Sequence, residues 1–259
     1  LLTFRLTMPS ALKRGSLYFC GGSGGKRMTY LEHARYRGFD GIMIACVDFS
    51  EPEVLQLALS DIPVVTIDYI FNDRLAVVSD NAKGMEDLFT YIYQMGHRRI
   101  AYIHGTDSAV TTNRLSSFYR TAEKLGVEIP DEYVMMTRYR DTKGAGEATE
   151  KLLDLRRPPT CIIYPDDFAA FGGIHVIRER GMSIPEDISI AGYDGIRLAK
   201  LTVPNLTTLC QDTQHLGQYA AEKLIDLIEK PKTAMRNITI VQGKLYEGQT
   251  VLKLDGSRG

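Results

Sequence analysis

Short runs of β-branched and aromatic residues recur along the chain. Each is closed by a turn signal and followed by a longer stretch with helical spacing. The apolar runs lie at 16–20, 41–46, 62–67, 76–79, 99–104, 133–137, 160–164 and 188–193. Between them Met85, Leu88, Phe89 and Ile92 recur on one helical face. So do Leu115, Phe118, Tyr119 and Ala122, with Leu125 continuing the stripe, and Leu216, Ala220, Leu224 and Leu227 near the end. The runs are continuous rather than alternating. That suits strands buried on both faces, in parallel sheets covered by helices. Gly38, Gly96, Gly126 and Gly181 follow periodic stretches and read as the glycines just past helix ends. Pro130 and Pro185 each precede an acidic residue and read as starts of a turn or one-turn helix. One sheet with so many strands would be large, so two sheets of about four to six strands each are expected. The break falls near 98–105, where a second βα series begins.

Composition narrows the class. With 259 residues, 44% hydrophobic and 24% charged, the chain is ordinary globular material for one large domain or two medium ones. Thirty-one Lys+Arg against 32 Asp+Glu leave a net charge of −1. A domain that grips nucleic acid by its own charge usually has a pI above about 9, so this chain is not expected to do so alone. No apolar run approaches the roughly 18–20 residues that cross a bilayer, and residues 1–8 lack the basic–apolar–small pattern of a secretory signal. Cys20, Cys46, Cys161 and Cys210 are far apart with no CxxC pair. They read as reduced, buried core thiols of a cytoplasmic protein.

Few motifs point to bond chemistry. The glycine-rich stretch 21–27 looks at first like a phosphate loop. A P-loop, however, needs glycine where Cys20 stands and Ser or Thr where Arg27 stands. A flexible strand-to-helix turn is the plainer reading. His33, His97, His104, His175 and His215 show no metal-ligand spacing, and no GxSxG supplies a nucleophile. The triplet 97–99 reads as a solvated loop before a strand. Strand-end polar residues are more suggestive. Asp68 and Asp194 each end an apolar run, Asp166 and Asp167 follow another, and Arg114 opens the stretch after a fourth. Open α/β sheets bind ligands at strand carboxyl ends. Carboxylates with a forked guanidinium suit a small hydroxylated or basic ligand. Each Asp also has a structural alternative as a turn or helix cap. For the 166–167 pair the expectation is one cap and one ligand- or solvent-facing carboxylate.

Several stretches together resemble the lactose-repressor/galactose-repressor family of bacterial transcription regulators. They are IPVVTID (62–68), VVSDNAKG (77–84), GHRRIAYIHG (96–105), Arg114 with Phe118, PTCIIYPDDFAAFGG (159–173), GMSIPEDISIAGYDG (181–195) and PNLTTLCQDTQHLGQYAAEKL (204–224). They run in family order over about residues 41–230. The resemblance implies two Rossmann-like subdomains with parallel sheets, periplasmic-binding-protein-like, joined by three crossovers. By similarity the first takes 1–99 plus 213–240 and the second 100–212 plus 241–259. A small-molecule effector, a sugar or related metabolite, would lie between them. The implied ligand positions are Asp68, Arg114, Asp166 and Asp194, with Tyr69, Asp80, Asp141 and Tyr164 as neighbouring candidates. Asp166 stands where the family usually has Asn, which adds negative charge.

The resemblance further implies a homodimer in the cytoplasm, no cofactor, no catalysis and no membrane contact. DNA would be reached only through an N-terminal helix-turn-helix headpiece, whose pattern does not occur within these residues. The interval between the expected strands at 1–5 and 16–20 is too short for the family's loop and helix. A sugar-binding protein of a periplasmic importer shares the fold and is the alternative. An enzyme acting on sugar phosphates is a third reading, without a nucleophile, metal or cofactor motif.

Overall fold

The computed structural model describes residues 28–71, 74–234 and 237–254. The expected strands at 1–5 and 16–20, Cys20 and the turn 21–27 lie outside the described residues. In chain order the elements are α1 (Tyr30–Arg37), β1 (Ile42–Ile44), α2 (Pro52–Ala58), β2 (Val64–Ile67), β3 (Leu75–Ser79), α3 (Asn81–Gln94), β4 (Ile100–His104) and α4 (Ala109–Lys124). They continue with η1 (Asp131–Tyr133), β5 (Val134–Met136), α5 (Thr142–Leu153), β6 (Cys161–Ile163), α6 (Asp167–Glu179) and β7 (Ser189–Asp194). Last come η2 (Arg197–Lys200), β8 (Thr207–Cys210), α7 (Thr213–Glu229), β9 (Ile238–Val241) and β10 (Lys244–Tyr246). Among the described residues no helix is long and apolar enough to cross a membrane.

The chain divides into two compact units and passes between them three times. Unit 1 contains 1–79 and 213–241; unit 2 contains 80–212 and 242–259. Unit 1 carries a parallel sheet in the order β1-β2-β3-β9. Its central strands β2 and β3 are largely buried on both faces, whereas Ile238 and Ile240 of the edge strand β9 are exposed. Val64 packs with Leu31, Val54 and Leu57, whereas the next residue, Val65, packs with Leu216 and Ala220 of α7. That two-sided burial is why the strands read as continuous apolar runs.

Unit 2 carries a sheet in the order β10-β8-β7-β6-β4-β5, parallel except for the antiparallel pair β10–β8. Ala101, Ile103, Ile162 and Ile190 face α5 and α6. Ile100, Tyr102, Ile163 and Tyr193 face α3 and α4. The stripe Met85, Leu88, Phe89 and Ile92 is wholly buried, and it seats α3 on this unit against Phe118 and Ala122 of α4. Tyr119, expected on the same stripe, is exposed. It lies beside Phe118 in sequence and so falls off the buried face.

Helix ends follow the expected signals. Gly38, Gly96, Gly126 and Gly181 all have positive φ. Pro130 precedes the one-turn η1, and Pro185 lies in a turn closed by Ser183 and Asp187. Two expectations need correction. His97 is buried rather than solvated: its Nδ1 lies 2.9 Å from Thr160 Oγ1 and its Nε2 lies 3.0 Å from the Leu252 carbonyl oxygen. Burial lowers its pKa to about 4, so it is neutral. Cys161 is a core thiol as expected, but Cys210 is half-buried and Cys46 is exposed. Cys46 sits past the end of β1 in a left-handed turn, where it no longer belongs to the buried strand.

Candidate functional site

In unit 2 the chain runs from β4 outward to β5 on one side and through β6, β7 and β8 on the other. The carboxyl ends of β4 and β6 therefore flank a topological switch point, the usual ligand position in an open α/β sheet. Arg114 reaches this point from α4, which Ser108 caps by accepting from Thr111 N. Its side chain is only 2% exposed, so its charge needs local partners. Nε donates to Asn81 Oδ1 at 2.8 Å and Nη1 donates to the Pro165 carbonyl at 2.9 Å. The guanidinium carbon lies 3.5 Å from the centre of the Tyr193 ring, and Nη2 stands 3.9 Å from Asp194 Oδ1. The start of α3, the turn after β6 and the end of β7 thus converge on one guanidinium. Stacking and fork geometry fix its plane.

Asp194 ends β7 and its side chain is 31% exposed, so it can meet both Arg114 and a solute. Its φ of 99° is rare for a residue with a side chain, and such strain concentrates at functional sites. Gly195 follows at φ 70°, with no room for a Cβ against Cys210.

The other expected positions are held differently. Asp166 is buried and caps α6: Oδ1 accepts from Ala169 N at 2.9 Å and Oδ2 from Arg140 N at 2.7 Å. Asp167, expected to face ligand or solvent if its neighbour capped, is also buried. It accepts from Thr208 Oγ1 at 2.6 Å, from Ile196 N at 2.8 Å and from Gly195 N. Desolvation raises its pKa to about 7. Asp80 caps α3 through Lys83 N and Asp141 caps α5 through Gly144 N. Tyr164 is fully buried in the core, its hydroxyl 2.8 Å from Thr149 Oγ1. In unit 1, Asp68 accepts from Ser79 N at 2.6 Å and has φ 58°. Tyr69 stacks on Phe49 with ring centres 4.3 Å apart.

The arrangement around Arg114 also includes residues that motif reading did not single out. Asn81 follows the Asp80 cap and spends its carbonyl on Arg114. Tyr139 packs against Gly105, with its hydroxyl 2.8 Å from Thr111 Oγ1. The Tyr102 hydroxyl is buried without a hydrogen-bond partner among the described residues, and burial raises its pKa. Only the DN of VVSDNAKG hinted at Asn81; no motif pointed to the tyrosines.

A polar cluster on strand carboxyl ends of a doubly wound α/β unit defines a small-ligand-binding fold rather than a charged nucleic-acid surface. Comparison with known proteins gives the family. Residues 89–251, more than half of the chain, match the periplasmic binding protein-like domain, and the chain belongs to that family. Its relatives are LacI-type regulators. The ribose operon repressor of Haemophilus influenzae is 28% identical over 85% of this chain and 67% of the relative. The HTH-type transcriptional repressor PurR of Salmonella arizonae is 29% identical over 87% of this chain and 67% of the relative. Among solved structures, a LacI family transcriptional regulator from Enterococcus faecium with bound ribose superposes with a TM-score of 0.78 at 26% identity, covering 87% of this chain and 84% of that one. A LacI regulator from Bacillus cereus subsp. cytotoxis gives a TM-score of 0.80 at 25% identity, covering 87% and 80%.

Proposed function

We propose that this chain is the effector-binding part of a bacterial LacI-type transcription repressor and that its effector is a small hydroxylated metabolite, in the first instance a sugar. The observation that carries this reading is the buried Arg114 fork, fixed by Asn81, Pro165 and Tyr193, with the strained, half-exposed Asp194 beside it. A guanidinium and a carboxylate side by side offer donors and acceptors to vicinal hydroxyls. The activity in this reading is reversible binding, in line with the repressor names of the relatives. A relative named for the ribose operon and a ribose-bound structural neighbour support the sugar class.

Asp68, Tyr69, Asp80, Asp141, Tyr164 and Asp166 enter this reading as supports: they cap, stack or fill, and Arg114 and Asp194 make the first contacts. In the intact protein the effector changes operator affinity by binding two states of the regulator unequally. The operator is read by an N-terminal headpiece, and the protein works as a cytoplasmic homodimer on paired half-sites. The repressor names of the relatives favour this over the importer alternative.

The test is a thermal-shift screen of sugars, sugar phosphates, purines and amino acids. A ligand at 100 times its Kd stabilises the folded state by about 2.7 kcal/mol, a readable rise in melting temperature. The reading predicts a shift from at least one neutral sugar, lost in Asp194→Ala. Shifts from purines or amino acids alone would overturn the sugar assignment.

A further inference from the structure

Asp167 has no part in the contacts just proposed, yet it is a fully buried acid in the first turn of α6. Its carboxylate bridges β8 and the turn that follows β7. On β8 it takes the hydroxyl of Thr208, itself wholly buried; past the end of β7 it takes the amides of Gly195 and Ile196. Space for it comes from Gly192 in β7, where any Cβ would collide with Asp167 Oδ1. The turn so gripped contains the two consecutive positive-φ residues Asp194 and Gly195. A non-glycine residue at φ 99° is disfavoured in isolation and persists only when its surroundings over-determine it. Backbone amides donating to a buried carboxylate directly after that residue are such a determinant.

We propose that Asp167 is a positioning residue for the effector site: it clamps the turn 194–196 and thereby fixes the Asp194 carboxylate beside Arg114. The inference rests on the effector reading above, which names the Arg114–Asp194 pair as the contact. It adds a dependence of that contact on the charge of Asp167. The groups facing Asp167 are Asp194 from β7, which disfavours its ionised form, and Cys210 from β8, itself beside Lys200 of η2. Burial raises its pKa to about 7. The ionised carboxylate accepts from all its donors at once. Protonation puts a hydrogen among donors and weakens the grip, so the clamp loosens as pH falls through neutrality.

The experiment is amide hydrogen exchange on the whole chain at pH 6 and pH 8, expressed as protection factors. Gly195 and Ile196 are compared with Ile190 and Ala191 of the preceding strand β7, and the Arg114 Nε–H resonance is followed in parallel. No effector is needed, so a chain that binds no sugar can still confirm the clamp, and a sugar-binding chain can still refute it. In the wild type, protection at 195–196 should fall on the order of tenfold from pH 8 to pH 6 while 190–191 holds, and the Arg114 signal should move with it. Asp167→Asn should show the low-pH behaviour at both pH values. Thr208→Val, which removes one donor and keeps the acid, should move the midpoint to higher pH. Wild-type protection that ignores pH, an Asn variant as protected as wild type at pH 8, or an Arg114 signal indifferent to the titration would each overturn the proposal.

Discussion

Replacing Arg114 tests whether the site is held by one guanidinium. In Arg114→Ala the buried Asn81 Oδ1 and the Pro165 carbonyl lose donors at 2.8 and 2.9 Å. A buried acceptor stripped of its partner costs about 1–3 kcal/mol. Loss of the stack on Tyr193 adds about 1–2 kcal/mol, because the cation is desolvated. Removing a buried charge returns part of this, since its desolvation cost disappears. The net expected loss is about 3–5 kcal/mol, within the roughly 5–15 kcal/mol of a folded domain. The variant should therefore fold but unfold at clearly lower urea. Arg114→Lys keeps the charge but cannot span Asn81 and Pro165 together, and should lose about 1–3 kcal/mol. Both should weaken sugar binding at least about tenfold, the equivalent of about 1.4 kcal/mol at the contact. The control is Arg98→Ala: Arg98 lies over Tyr93 at 3.8 Å on an exposed surface, and its loss should stay below about 1 kcal/mol. Urea titration followed by circular dichroism, with calorimetry for binding, separates the two effects. An Arg114→Ala loss no larger than that of Arg98→Ala would refute the reasoning.

Three further outcomes follow from other parts of the fold. His97 has a folded pKa near 4 against 6.5 unperturbed, so its contribution is complete above pH 6.5 and is lost as pH falls toward 4. Relative to His97→Gln, the wild type should lose about 2 kcal/mol between pH 7.5 and pH 5 in urea titrations, and parallel curves would contradict the neutral-imidazole bolt. Asp68→Gly should be about 1 kcal/mol less damaging than Asp68→Ala in chemical denaturation, because both lose the bond to Ser79 N but only glycine tolerates φ 58° freely. Gly172→Ala should cost about 1–3 kcal/mol in thermal unfolding, since its Cβ would run into the Thr142 backbone across the α5–α6 contact; an unchanged melting temperature would show that the two helices can part freely.

The strands of both sheets were legible wherever they are apolar and buried on two faces, as at 62–67 and 99–104. β8 was not, because Thr207 and Thr208 are buried polar residues that interrupt the apolar signal. α5 was missed for a related reason: Gly144, Gly146 and the alanines of TKGAGEATEKLL carry little periodicity. Its small residues are there for close packing, with Gly146 against Val176 and Gly172 of α6. Asp194 was conspicuous as a charge at a strand end and Arg114 as a charge in the stretch after the run 99–104; that the two approach within 3.9 Å was not legible. One cap in the 166–167 pair was legible and Asp166 makes it through Ala169, but the burial of both carboxylates was not, since their other donors include Arg140, Ile196 and Thr208, 26 to 41 residues away. Tyr164 illustrates the reverse. A strand-end tyrosine looks like a ligand contact until its hydroxyl is found bonded to Thr149 inside the core.

Contact of a polyol with Arg114 and Asp194 is tested most directly by a crystal structure of the protein grown with the sugar giving the largest thermal shift. Sugar hydroxyl oxygens are expected within about 3.2 Å of an Arg114 Nη atom and of an Asp194 carboxylate oxygen. A sugar bound with neither residue in its contact shell would contradict it.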